Sequence, residues 1–199
     1  MPTDPYVYPG TTCLRNRLGI RNPDALARLE ANQTAIILAR LERERLVGRY
    51  DLVHLRAFHR RIFGDLYAWA GELRVVPIAK DRSLFALPEQ IEPYLSRVFS
   101  ELASEQRLRG LARAELVDRV THYHAELNAV HPFREGNGRT QRACLGQLAH
   151  DAGHQIAWER LDAERNVEAS RASVQGDNRL LRAMLDELVE PPTGRTADG

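Results

Sequence analysis

Residues 131–142 read His131-Pro132-Phe133-Arg134-Glu135-Gly136-Asn137-Gly138-Arg139-Thr140-Gln141-Arg142, and these side chains can assemble a phosphoryl- or nucleotidyl-transfer site. Gly136 and Gly138 flank Asn137 just before a helical run. Two glycines let backbone amides turn toward a ligand with no side chain in the way, and the start of the helix adds unpaired N–H groups and a partial positive charge. The result is an anion site suited to phosphate. Arg139 and Arg142 are three positions apart and share a helical face, so both guanidiniums can grip one polyanion in forked fashion. Glu135 on the loop would be repelled by phosphate unless a cation lies between them. Mg²⁺ meets that need, because it combines one or two carboxylates with substrate phosphate oxygens. Histidine, with an ordinary pKa near ~6.5, suits a general base at neutral pH, and His131 supplies one. Phe133 is expected to be a core anchor that fixes the loop. A lone GNG is a common turn and a lone histidine after a helix is commonly a cap; it is their concentration in so short a run that carries the reading. No GxxxxGK[ST] occurs anywhere in the chain, so this is not a Walker loop.

Helical periodicity around this run supplies the elements that must position it. Asn22 followed by Pro23 predicts a helix start, with Leu26, Leu29, Ile36, Ile37 and Leu41 recurring at helical spacing and Gly48 as the stop. Asp51 caps a second helix bearing Leu52, Leu55, Phe58 and Ile62 and ended by Gly64. Residues 73–86 change pattern: Val75, Val76 and Ile78 favour extended backbone, Lys80-Asp81-Arg82-Ser83 forms a polar tip, and Pro77 restricts the strand to an edge, predicting a short β-hairpin. Pro88 opens a helix carrying Ile91, Tyr94, Leu95, Val98, Phe99 and Leu102. Another covers 112–130, with Leu116, Val117, Val120, Tyr123 and Leu127 on one side. Helices over 138–152, 162–174 and 178–189 follow, and 191–199 reads as a disordered tail. Without repeats or linkers, the expectation is one mainly α domain over 1–190 with six to eight helices.

Composition narrows the function classes. The 28 basic and 27 acidic side chains give a formal charge of +1, which argues against direct nucleic-acid binding. Cys13 and Cys144 are far apart without CxxC spacing, so free thiols in a reducing compartment are expected, not a disulfide framework or a cysteine zinc site. The opening MPTDPYVYPG has neither the positive charge nor the apolar run of a signal peptide, and no stretch approaches ~20 apolar residues, so a cytoplasmic protein with no membrane association is expected.

The run from His131 to Arg142 matches, at every specified position, HxFx[DE]GNGRxxR, the signature of the Fic family, and the chain is identified as resembling that family from about Tyr8 to Leu188. The resemblance implies a protein adenylyltransferase. His131 would deprotonate a target tyrosine, serine or threonine hydroxyl, which attacks the α-phosphorus of ATP. Glu135 would hold Mg²⁺ between the α- and β-phosphates. Gly136, Asn137 and Gly138 would cradle the phosphates, with Asn137 near the α-phosphate, and Arg139 and Arg142 would neutralise the triphosphate. The hairpin would be the family's flap, which holds the target segment by strand addition, with Ile78 and Lys80 at the positions that clamp the modified residue.

Many family members are inhibited by a helix carrying [ST]xxxE[GN], whose glutamate pairs with the second signature arginine, here Arg142. No Ser or Thr in this sequence is followed by Glu four positions later. The family precedent is then a separate small antitoxin that supplies the helix to a Fic toxin, and the same precedent points to type II topoisomerases as targets.

Other readings compete. His150 and His154 at i, i+4 superficially resemble the HExxH of zinc hydrolases, but Asp151 replaces the glutamate and Gly153 weakens the helix. His122 and His124 offer no third ligand. A Fic fold using another nucleotide or a phosphodiester donor, or acting as a silent binding module, would keep the same fold.

Overall fold

The structure, a computed structural model, describes residues 4–80 and 83–190, with backbone only for Lys80, Ser83 and Leu84. Seven α-helices dominate these residues: α1 (Pro23–Leu41), α2 (Leu52–Phe63), α3 (Pro88–Ser104), α4 (Arg113–Val130), α5 (Asn137–Asp151), α6 (Ala163–Val174) and α7 (Arg179–Leu188). The helix starts follow local chemistry. Asn22, Asp51 and Asp162 each accept a hydrogen bond from a first-turn backbone N–H of α1, α2 and α6. At α3 and α4 the reach is reversed, and Gln90 and Glu115 accept from the backbone N–H groups of Leu87 and Ala112.

Helix α4 is the hub. Leu116, Val117, Val120, Tyr123 and Leu127 are all buried, and the helix packs against α3, α5, α6 and α7. Surrounding it on four sides buries its apolar face, and also places its C-terminal end deep enough for the following loop to sit at the floor of a cleft.

Two expectations need correction. First, α1 ends at Leu41, ahead of Gly48, and Ile36 is 58% exposed while Glu30 and Thr34 are buried. The inward stripe of α1 is partly polar because it meets a charged residue of α5, described below. Gly48 serves close approach instead: a Cβ there would overlap the ring of His54. Second, the hairpin is far shorter than the sequence suggests. Only β1 (Ala79–Lys80) and β2 (Ser83–Leu84) pair, antiparallel, with Ala79 opposite Leu84. Beyond that pair a Phe85 N–H to Ile78 carbonyl bond of 3.4 Å joins the arms, and further out side chains hold them: the Val75 N–H donates to the Tyr6 hydroxyl and the Val76 carbonyl accepts from Arg74. Pro77 has no N–H to continue the pairing. The polar-tip residues Asp81 and Arg82, the Lys80 side chain and the tail 191–199 lie outside the described residues.

Candidate active site

A turn of left-handed backbone creates the site. His131, at the C-cap of α4, has φ 49° and ψ 64°, a region that non-glycine residues occupy only when the surroundings demand it. Its N–H still closes the helix on the Leu127 carbonyl, 3.0 Å away. The ring then folds back so that Nδ1 lies 3.2 Å from the Asn128 carbonyl. A carbonyl can only accept, so Nδ1 carries the proton and, in the neutral ring, Nε2 carries the lone pair. The ring stacks on Phe85 from the C-terminal arm of the hairpin, with centroids 4.0 Å apart and planes 18° apart.

The loop after His131 is built for rigidity. Phe133 is buried, and stacks on His59 with centroids 3.9 Å apart. Asn137 accepts from the Phe133 N–H at 2.9 Å and donates to the Phe133 carbonyl at 2.8 Å, closing the loop with both ends of its amide. The Asn137 side chain is thereby tied to the backbone of its own loop. His59 accepts the Gly71 N–H on Nδ1 at 2.7 Å and donates Nε2–H to the Glu135 carbonyl at 3.0 Å. Burial pushes this imidazole down to about 4, so it stays neutral and keeps that one-donor, one-acceptor arrangement. Gly136, with φ 77°, leaves no room for a side chain, because a Cβ there would fall on the ring of Phe63.

Helix α5 begins immediately afterwards, so the backbone N–H groups of Asn137, Gly138 and Arg139 have no partner within the helix. Arg142 lies close over this end; a Cβ on Gly138 would come 3.3 Å from its Nη1. Arg142 makes no ion pair among the described residues, and burial together with the adjacent Arg139 pushes its guanidinium below the usual arginine range. An unpaired, half-buried guanidinium beside unpaired amides is an anion site.

Arg139 differs. Its Nη2 donates to buried Glu30 of α1 at 2.5 Å, its Nη1 donates to Thr34 at 3.1 Å, and its guanidinium sits 4.8 Å over the Phe63 ring. Tyr67 donates to the same Glu30 carboxylate. Glu135 lies 3.6 Å from Arg139 and its own Gly136 N–H donates to it, while the carboxylate remains nearly half exposed toward the cleft. One open carboxylate beside a phosphate-shaped amide cradle fits the donor set for Mg²⁺.

These groups share one cavity of about 600 Å³. His131, Glu135, Asn137, Arg139 and Arg142 line it together with Ile78 of the hairpin. The sequence-predicted residues are thus brought together, apart from the Lys80 side chain, which lies outside the described residues. The cavity also has a wall that sequence reading missed: Asn166, Ser170 and Arg171 of α6, with His124 and Asn128 of α4. Buried polar atoms of His124, Gln141 and Asn166 lack hydrogen-bond partners among the described residues. Glu30, His59, Arg74 and Phe85 were missed as well. For Glu30 a signal existed, since Glu30 and Thr34 continue the stripe of Leu26 at i, i+4 and i+8, and polar residues on an otherwise apolar stripe need a partner.

The rival histidines are engaged elsewhere. His150 pairs with Arg45, which also binds Asp151, and His154 donates Nε2–H to the Leu111 carbonyl. Cys13 and Cys144 are free and buried. No helix among the described residues is long and apolar enough to cross a membrane.

The chain is similar to known proteins along nearly its whole length. It is 43% identical over 98% of its residues to protein adenylyltransferase VbhT of Bartonella schoenbuchensis, of which it spans 41%. It is 37% identical over 94% of its residues to the probable protein adenylyltransferase Fic of Escherichia coli, of which it spans 92%. Among solved structures it superimposes, with a TM-score of 0.87 and 28% identity, on the N-terminal Fic domain of a Bartonella quintana cell filamentation protein with bound ADP, covering 94% of this chain and 95% of that one. The Fic/DOC family model matches residues 49–149, which run from the start of α2 through the site to the end of α5, and the chain belongs to that family.

Proposed function

We propose that this chain is a protein adenylyltransferase that moves AMP from ATP to a hydroxyl side chain of a target protein. The observation that carries the reading is the left-handed turn at His131, which sets an Nδ1-protonated imidazole and the amide-rich start of α5 into one cavity. Relatives named as protein adenylyltransferases support it.

In this reading the triphosphate lies across the N–H groups of Asn137, Gly138 and Arg139, with Arg142 as the cation that meets its outer phosphates. Arg139 contributes from a fixed position against α1. Glu135 would hold Mg²⁺, whose bound charge offsets that of the phosphates. Ile78 borders the path by which a target hydroxyl reaches His131, and Lys80 is the flap's second clamp. His131 Nε2 takes the hydroxyl proton as the oxygen forms its bond to the α-phosphorus. The bond from that phosphorus to the bridging oxygen breaks, and pyrophosphate leaves with the electron pair. The protein's contribution is positioning and charge stabilisation, with the base adding about 10²–10⁴-fold. The nucleoside would occupy the α6 end of the cavity, where Asn166, Gln141 and His124 offer donors and acceptors.

A second cavity of about 380 Å³ supports a separate inhibitory partner. It lies between α1, α5 and the segment around Trp158, with Leu38, Leu41, Ile156 and Trp158 on its walls, and Arg139 and Arg142 at its junction with the first. A groove of mixed apolar and charged lining that reaches Arg142 suits a small antitoxin whose [ST]xxxE[GN] helix seats its apolar side on Leu38, Leu41, Ile156 and Trp158 and delivers a glutamate to Arg142. The chain is then the toxin of a cytoplasmic toxin–antitoxin pair, with type II topoisomerases as candidate targets.

Intact-mass measurement of labelled protein after incubation with ATP and Mg²⁺ tests the reading. A gain of one AMP, lost in His131→Ala, is expected. Transfer that survives His131→Ala, or transfer of a different group, overturns it.

A further inference from the structure

Arg74 is one of the most deeply buried large side chains in the protein, 1% exposed, and no carboxylate pairs with it among the described residues. Its guanidinium is spent on four backbone carbonyls. Nε donates to His131 at 2.8 Å, Nη1 to Val76 at 2.8 Å, and Nη2 to Val130 at 3.1 Å and to Ala86. Its own N–H donates to the Pro132 carbonyl at 2.9 Å. Val76 and Ala86 are the two feet of the hairpin, while Val130, His131 and Pro132 form the end of α4 and the turn that presents the imidazole. Carbonyls at a helix C-terminus carry partial negative charge, which explains how a buried cation is stable here without an acid.

A second set of contacts joins the same two parts. The Phe85 ring lies on the His131 ring and the Ala86 N–H donates to the Ala129 carbonyl at 3.4 Å, while within the hairpin the Phe85 N–H donates to the Ile78 carbonyl at 3.4 Å. Phe85 is buried although it belongs to a surface hairpin. Hairpin feet and base turn are thus cross-linked by one guanidinium and one aromatic stack, so displacing the hairpin pulls on the residue that receives the proton.

We propose that Arg74 and Phe85 are positioning residues that lock the target-docking hairpin and the His131 turn into one unit, so that the imidazole is held in its productive orientation only while the hairpin feet are seated. This rests on the reading of His131 as the base of adenylyl transfer. Lysine at position 74 keeps the charge but cannot span four carbonyls, because an ammonium has three donors at one point in place of five spread over a planar fork. A shift of the imidazole by about 1 Å is enough to cost roughly 10²-fold in turnover.

The test uses the full chain with Arg74→Lys and Phe85→Leu, and three readouts. In solution NMR, the His131 ring protons of the wild type, assigned by their loss in His131→Ala, carry an upfield ring-current shift from Phe85. Arg74→Lys should abolish that shift even though Phe85 is still present, a result that a merely structural role would not give. Labelling of lysate protein with [α-³²P]ATP should fall by about 10²-fold in both variants, while the dissociation constant for ATP·Mg²⁺ changes by less than about threefold. An Arg74→Lys variant that retains the His131 shift and wild-type labelling overturns the proposal. If Arg74→Lys has no cooperative thermal transition, Phe85→Leu, which keeps the position apolar while removing the ring, decides: undiminished labelling overturns the proposal, and reduced labelling at unchanged nucleotide affinity supports it. If the wild type transfers no AMP, the functional reading fails, and the ring-current measurement still decides the coupling.

Discussion

Glu30 Oε1, midway along α1, accepts a hydrogen bond from Arg139 Nη2 of the signature helix at 2.5 Å, across 109 residues of sequence. Both groups are largely withdrawn from water, with 11% and 23% of their side chains exposed, and Thr34, Tyr67 and Phe63 complete the surround. Helix α1 lies outside the residues matched by the family model, yet it holds one of the two signature arginines in place.

Breaking this pair from one side should be costly. Glu30→Ala leaves the Arg139 guanidinium with the longer Glu135 contact and the Thr34 hydroxyl alone, and is expected to lower unfolding stability by about 3 kcal/mol. Arg139→Ala strands the Glu30 carboxylate with similar effect. The double variant should recover part of the loss, giving a coupling energy of about 1–3 kcal/mol in a urea-unfolding double-mutant cycle. Additive losses would mean that the contact is energetically idle.

Arg142 should behave in the opposite way. It has no ion pair among the described residues to lose, so Arg142→Ala should change stability by no more than about 1 kcal/mol while weakening ATP binding by about tenfold or more. Calorimetric titration with ATP·Mg²⁺, alongside thermal melts, separates the two arginines.

Acid should destabilise the fold through two buried histidines. Burial holds both His59 and His124 at about 4 when folded, against an ordinary value near 6.5. The neutral forms are preferred in the folded state, so the unfolded chain binds more protons between these values. Stability is fully present above about pH 6.5, falls as pH drops toward about 4, and loses roughly 3 kcal/mol per histidine over that window. His59→Gln retains a donor for the Glu135 carbonyl and should flatten the pH dependence of the urea midpoint. A midpoint that is constant from pH 7 to 4 in the wild type contradicts this account.

Gly136→Ala should fail at both the backbone and the packing level. Its φ of 77° disfavours any Cβ, and that Cβ would overlap Phe63. A loss of about 2–4 kcal/mol is expected, together with loss of nucleotide affinity, because the start of α5 shifts. Differential scanning calorimetry and ATP titration of the same sample measure both.

Much of the helical order was legible. Asn22, Asp51, Gly64 and Pro88 mark boundaries that the structure reproduces, because capping and proline restriction act within one turn. The hairpin was overestimated for the converse reason. Val75 and Val76 have strand-like side chains, but whether an extended segment pairs depends on what lies beside it, and Tyr6 and Arg74 take its polar groups instead.

The sequence by itself determined the chemistry of the His131–Arg142 run: which side chains could take a proton, oppose phosphate or bear an amide cradle. These are properties of residue type and of spacing shorter than two helical turns. Only the tertiary structure decided how the members of that run are used. It committed Arg139 to Glu30, left Arg142 without an ion pair among the described residues, turned the Asn137 amide back onto Phe133, and brought Arg74, Phe85 and His59 against the base and its loop. Such partners come from segments tens of residues away, and burial makes every polar group find one. Nothing in local periodicity specifies which distant group that will be.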